Sequence, residues 1–388
     1  MGLLTSPSSS TSPSTEPFPV SSPILVPLSS SENPDPRYGI YLVFSYKQHA
    51  DDLTMSCVMG CYDPLINAWT HESSIPGTSV NHIFKGFAMV SVKTSIYIVG
   101  GSEYRKEKIE INGTSRLKDV GVGVRSTVSR YDVITKEWFT CAPLITPRYD
   151  FACSVCDDKI YVAGGQSTLD GAKGISSAEV YDVVNNEWRS LPCMSTVRYK
   201  CVGVTWRNKF HVIGGFTYSG NKMQFTDRCS AEVYDVEKGK WDHLTGMWQL
   251  DVPPNQIVVV DEKLISSGDC LNVWKGDIET YDGNLNLWYP LDGSRKENLL
   301  SLSCSSSGNE GGSSEPLQRI CLTMAPIGGY LYFIAGYRVA GDQSSCCTMS
   351  MVHRFDTSAT DNQWETFELM QVEGERELCS HCCVVQLS

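Results

Sequence analysis

From residue 37 onward the chain repeats one pattern of apolar and polar positions. Short runs of β-branched and aromatic residues alternate with clusters of Gly, Asp and Asn. Residues 150–190 show one full unit. Phe151-Ala152-Cys153-Ser154-Val155-Cys156 reads as a first strand and Asp157-Asp158 as a tight turn. Lys159 to Ala163, Ser177 to Asp182 and Glu187 to Ser190 read as the second, third and fourth strands. Four short antiparallel strands with a period of ~50 residues describe a propeller blade, not a helical solenoid.

The period is marked by fixed residues. Tyr-Asp with a Trp seven positions after the Tyr occurs five times. The pairs are Tyr62 with Trp69, Tyr131 with Trp138, Tyr181 with Trp188, Tyr234 with Trp241 and Tyr281 with Trp288. A looser sixth copy joins Phe355-Asp356 to Trp364. Upstream, apolar runs end in Gly100-Gly101, Gly164-Gly165 and Gly214-Gly215, and the pattern decays to Ser267-Gly268 and Ala335-Gly336. Each residue type has a structural reason. A glycine pair fits where strands crowd toward an axis or where φ must be positive. Tyr and Trp bring large apolar area with a polar tip, and Asp can bond turn backbone two residues on.

Gly-Gly, Tyr-Asp and the spaced Trp together resemble the kelch motif, over residues 38–388. The runs Arg198 to Trp206 and Met247 to Pro254 look like those of the plant F-box/kelch group. The resemblance implies a six-bladed, all-β kelch propeller that binds another protein. It further implies a substrate receptor in ubiquitin-dependent turnover. Residues 1–37 are too short and too Pro-rich to form an F-box. By this reading the chain would meet ubiquitin-ligase subunits only indirectly, or compete with longer relatives for their targets.

Two ends of the propeller differ from the rest. The first unit begins at Arg37-Tyr38-Gly39-Ile40, already the second-strand slot, while Glu377 to Leu387 matches a first-strand slot. The C-terminal strand is therefore expected to pair into the first blade and leave no long free edge. Residues 1–36 hold 11 Ser, 8 Pro and 3 Thr without a Lys or Arg, and are expected to be a disordered head before a propeller at 37–388. Met1-Gly2-Leu3-Leu4-Thr5-Ser6 fits the minimal N-myristoylation pattern, set against an ordinary frayed terminus.

Strand alternation puts second-to-third and blade-to-blade connections on one face. The long segments Ser102–Arg125, Gln166–Gly174, Phe216–Arg228, Tyr337–Cys347 and Gly293–Arg319 all fall there, which makes that face the expected binding site. Ser301–Ser314 within the last of them reads as a mobile loop. Candidate contacts are Arg105, Lys106, Arg148, Tyr149, Arg198, Tyr199, Arg319 and Arg376, because Arg and Tyr most often carry interface energy. Converging, they would form a basic, aromatic mouth for an acidic segment. The other reading is that each Arg pairs with a local Asp or Glu.

Composition narrows the classes. A formal charge of −12 argues against a nucleic-acid or membrane-surface binder. No run of 18 apolar residues and no signal peptide is evident, so a cytoplasmic or nuclear location is expected and the sixteen Cys read as buried thiols. The alternative function is a galactose-oxidase-like enzyme or a small-molecule binder in the central channel. Seven scattered His and the pairs Cys153/Cys156 and Cys379/Cys382, set in strands, make a poor metal set. No catalytic residue, metal or cofactor is expected.

Overall fold

The computed structural model describes residues 36–47, 55–79, 81–111, 114–171, 173–217, 228–250, 252–270, 278–291, 303–304, 315–339, 348–359, 364–372, 375–378 and 381–387. The Ser/Pro-rich head at 1–36, except Pro36, lies outside them, as does nearly all of Ser301–Ser314.

Blade 1 holds β1 (Tyr38–Lys47), β2 (Met55–Asp63) and β3 (Ala68–Ser74). A linking segment then carries β4 (His82–Lys85). Blade 2 holds β5 (Ala88–Val92) and β6 (Ser95–Val99), an excursion of β7 (Ser102–Ile111) and β8 (Thr114–Val124), then β9 (Val128–Asp132) and β10 (Glu137–Thr140). Blade 3 is β11 (Ala152–Cys156), β12 (Lys159–Ala163), β13 (Ala178–Asp182) and β14 (Glu187–Leu191). Blade 4 is β15 (Val202–Trp206), β16 (Lys209–Ile213), β17 (Ser230–Asp235) and β18 (Lys240–Thr245). Blade 5 is β19 (Ile257–Val260), β20 (Lys263–Ser266), β21 (Glu279–Asp282) and β22 (Leu287–Pro290). After β23 (Ser303–Cys304), blade 6 is β24 (Glu315–Ile327), β25 (Tyr330–Val339), β26 (Thr348–Asp356) and β27 (Trp364–Val372). The last strands, β28 (Glu375–Leu378) and β29 (Cys383–Gln386), both pair with β1.

Six sheets thus follow the repeat, each antiparallel and paired in the order first to fourth strand. The first-strand position of blade 1 is filled by β29, with Tyr38 opposite Gln386 and Tyr41 opposite Cys383. The innermost strands β5, β11, β15, β19, β24 and β29 are successive neighbours, and β29 also lies beside β5. Ser91 Oγ donates to the Val384 carbonyl at 2.6 Å across that seam. Among the described residues no helix is long and apolar enough to cross a membrane.

One expectation needs correction. Ser102–Arg125 is not an irregular loop. It is a hairpin that joins β4 in a seventh, three-stranded sheet, ordered β4-β7-β8. Its strands carry runs of charge, as in Arg105-Lys106-Glu107-Lys108, and cross-strand ion pairs such as Lys106 with Asp119 help to hold them together. Its base is pinched shut where the Arg125 amide donates to the Gly101 carbonyl at 2.8 Å.

The repeat residues do the structural work their chemistry suggests. Tyr131 and Trp138 sit with ring centroids 5.0 Å apart, and Tyr181–Trp188 and Tyr234–Trp241 repeat the pair at 5.0 and 5.2 Å. Each Trp reaches back to the previous blade. Trp188 Nε1 donates to the Ala142 carbonyl at 2.9 Å and Trp241 Nε1 to the Pro192 carbonyl at 2.7 Å. Tyr181 and Tyr281 donate to the Oδ1 atoms of Asn186 and Asn286, which hold the positive φ of their turns. Asp182 Oδ1 accepts from the amides of Val184 and Asn185, and Asp132 and Asp282 act alike. Burial of these rings between sheets supplies the apolar stabilisation, at roughly 25 cal/mol per Å² removed from water.

Candidate protein-binding rim

The site is built where each blade hands over to the next. Gly164 and Gly165 have φ of 69° and 90°, a region favouring glycine. A Cβ on Gly164 would come 2.7 Å from the Arg198 carbonyl oxygen, so the pair is fixed by close approach as well. The segments linking blades then pair with the segments that follow Gly-Gly. Tyr149 bridges to Gln166, Ile175 to Arg198, Tyr199 to Phe216 and Pro254 to Asp269. In blade 2 the same contact is enlarged into the pairing of β4 with β7. Both kinds of connection therefore share one rim, as strand alternation requires.

Two expected contact residues are corrected. Arg148 and Arg198 are 0% exposed and cannot meet a partner. Arg148 Nη1 donates to the Gly164 and Ser177 carbonyls at 2.8 and 3.0 Å, and its Nη2 donates to Glu179 Oε1 at 2.6 Å. Glu179 in turn accepts the amides of Ile145 and Thr146. Arg198 repeats this in blade 4, with Gly214, Ser230 and Glu232 as its partners, and Glu232 accepts the amides of Ser195 and Thr196. Burial lowers the Arg148 pKa while Glu179 opposes that shift. Local pairing with an acid thus describes these two arginines, and the pairing is buried.

The remaining candidates divide. Tyr149 is 9% exposed, and burial with the neighbouring Tyr104, Asp150 and Tyr199 raises its phenol to about 12. Tyr199 stacks on Phe216 with centroids 5.4 Å apart, and Arg228 lies 5.3 Å over Phe216. Lys85 lies 5.6 Å over Tyr104. Arg105 is exposed on β7 and pairs with Glu107, while Lys106 meets Asp119 at 3.2 Å. Asp119 also binds Lys85 at 2.8 Å, and its pKa is lowered; burial opposes that, and the two lysines outweigh it. Arg319 and Arg376 are placed by backbone alone, opposite Tyr337 in β25 and Tyr46 in β1. Tyr104, Phe216, Lys85 and Arg228 belong to the rim but were not among the candidates. Their signal was position beside Tyr149 and Tyr199 in the folded pairing, not a repeat in the sequence.

Inside the rim a cavity of about 380 Å³ opens on the axis among the linking segments. Gly86, Asp150, Lys200, Asn255 and His381 line it, above Phe87, Phe151 and Ile257. A second cavity, lined by Ser91, Ser154, Thr205 and Val384, continues along the first strands. Among the described residues no three His, Cys, Asp or Glu side chains converge as metal ligands.

Six repeated antiparallel sheets with this glycine pair, turn aspartate and inter-blade tryptophan define a kelch-repeat β-propeller. Residues 147–195 match the kelch motif. The chain is 32% identical to an F-box/kelch-repeat protein of Arabidopsis thaliana over 48% of its own length and 45% of that protein. It is 29% identical to Kelch-like protein 21 of Homo sapiens, over 35% of this chain and 19% of that one. Beta-scruin of Limulus polyphemus is 28% identical over 36% of this chain and 13% of that protein. The chain's matches span less than half the length of each of these relatives.

Proposed function

We propose that the propeller is a protein-binding scaffold, not an enzyme, and that it captures its partner on the rim that carries the long connections. The observation that carries this reading is the pairing of linking segments with the segments after Gly-Gly. It mounts Tyr104, Tyr149, Tyr199 and Phe216 on backbone that is already hydrogen-bonded. Rigid aromatic groups on fixed backbone lose little entropy when a partner docks. An acidic segment docking beside them would compete with Asp119 and Glu107 for Lys85, Lys106 and Arg105, the cations those acids now hold.

The kelch relatives named for an F-box support a finer reading. In it the protein recognises substrates for ubiquitin-dependent turnover in the cytoplasm or nucleus, alongside ligase subunits or in competition with them. Affinity purification with mass spectrometry tests both levels. The intact protein is compared with a Tyr104→Ala, Tyr199→Ala variant whose melting curve is unchanged. Selective loss of partners from the variant supports the rim, and ligase subunits among them support the turnover role. An identical partner set from both proteins overturns the rim assignment.

A further inference from the structure

The cavity at the axis carries a second inference. Gly86, Asp150 and Lys200 occupy the same position in successive blades, where each linking segment turns into its first strand. Their backbones form a chain around the axis. The Asp150 amide donates to the Gly86 carbonyl at 2.8 Å, and the Lys200 amide donates to the Asp150 carbonyl at 2.7 Å. All three have positive φ, of 62°, 53° and 53°. Glycine meets that backbone demand without strain, as it does at residue 86. Aspartate and especially lysine meet it at a conformational cost, and strain of this kind collects at functional sites. At two of these three positions the chain thus carries a charged side chain where glycine would meet the backbone demand.

Both side chains face the cavity. The missing Cβ of Gly86 leaves the space into which Asp150 leans: a Cβ there would stand 2.5 Å from Asp150 Oδ1. Lys200 is exposed to the cavity on the next blade. Among the described residues neither charge reaches an opposite charge within 4.0 Å. Burial accordingly raises the Asp150 pKa, and Lys200 offsets this only in part. A lone cation drawn to Asp150 would meet Lys200, and a lone anion drawn to Lys200 would meet Asp150. A molecule bearing both charges satisfies both. Phe87, Phe151 and Ile257 give it an apolar floor, in a volume typical of small-ligand sites.

We propose that the axial cavity binds a zwitterion with an apolar body, an α-amino acid or a short peptide, with its ammonium on Asp150 and its carboxylate on Lys200. The site is separate from the aromatic rim, so it stands or falls independently of the scaffold reading.

The test uses the full-length protein and isothermal titration with leucine, N-acetyl-leucine, leucinamide and Leu-Leu. Leucine or Leu-Leu is expected to bind saturably at about 1 mM or tighter, and each derivative lacking one charge at least tenfold more weakly. Preference for leucine assigns the ligand to free amino acids, and preference for Leu-Leu to peptides. Asp150→Asn and Lys200→Met should each reproduce the tenfold loss, with circular dichroism confirming the fold. No binding by either zwitterion, or equal binding by N-acetyl-leucine, overturns the proposal.

Discussion

Arg148 donates through Nη2 to Glu179 Oε1 at 2.6 Å, and the two side chains are 0% and 2% exposed. The pair joins three pieces of chain. Arg148 holds the carbonyls of Gly164 and Ser177, its own carbonyl accepts the Gly101 amide of the preceding blade, and Glu179 holds the linking amides of Ile145 and Thr146. Removing either partner leaves buried polar groups without their bonds. Glu179→Ala should cost about 3–5 kcal/mol and Arg148→Ala a similar amount. The double replacement Arg148→Ala, Glu179→Ala should cost less than the sum of the two single losses. Urea midpoints with unchanged m values would read this, and purely additive losses would contradict the coupling.

Gly165 and Gly171 separate steric crowding from backbone strain. Both have positive φ, but a Cβ on Gly165 would lie 2.7 Å from Phe151 Cβ and from the Tyr149 carbonyl, while Gly171 faces open space. Gly171→Ala should cost about 1 kcal/mol. Gly165→Ala should cost more than about 2 kcal/mol, because strain and overlap act together. Equal shifts in melting temperature would show that crowding is relieved elsewhere.

His211 gives the propeller an acid-sensitive point. Its ring packs 5.5 Å from Trp206 and Nδ1 donates to the Lys209 carbonyl at 3.0 Å. Burial pushes its pKa down to about 4, and the neighbouring Lys209 and Arg207 charges add to that. An unfolded histidine takes its proton near pH 6.5. The folded state therefore stays neutral while the unfolded state protonates. Stability is lost as pH falls from about 6.5 to about 4, by an amount on the order of 3 kcal/mol. Stability curves for His211→Phe should be flatter over that window than for the unmodified protein. Parallel curves would place the acid response elsewhere.

Removing residues 381–388 should do far more than an ordinary terminal trimming. Val385 and Cys383 in β29 are 1% and 7% exposed, and their strand covers one edge of β1. The truncation would uncover apolar groups worth about 1.5–3 kcal/mol apiece and an open strand edge. Loss of the cooperative melt, or aggregation at concentrations where the intact chain is soluble, is the expected result. A melt within a degree or two of the original would count against a structural role for β29.

The sequence made the blades readable because their markers recur. Tyr181, Asp182 and Trp188 stand in the same order as Tyr234, Asp235 and Trp241, and the residues between them keep one spacing. The predicted strands at 151–190 differ from β11, β12, β13 and β14 only at their ends. The rim was less readable for physical reasons. Arginine is ordinarily a surface residue, so Arg148 and Arg198 looked available to a partner. A signal against that was present: each precedes a Glu set two residues before the blade's Tyr, Glu179 before Tyr181 and Glu232 before Tyr234. The β7–β8 hairpin was hidden because its strands carry charge on both faces and lack the apolar alternation of a half-buried sheet. The axial ring of Gly86, Asp150 and Lys200 shares a backbone shape but no residue type, and only coordinates align it.

The pinch between the Arg125 amide and the Gly101 carbonyl has an evolutionary consequence. The chain leaves blade 2 and returns to it at nearly the same point, so whatever is threaded between those residues imposes no change in register on the sheets. A different hairpin grafted there would leave the inter-blade tryptophans and buried arginines as they are, so this segment is free to change length and sequence at a different rate from the blades that carry it.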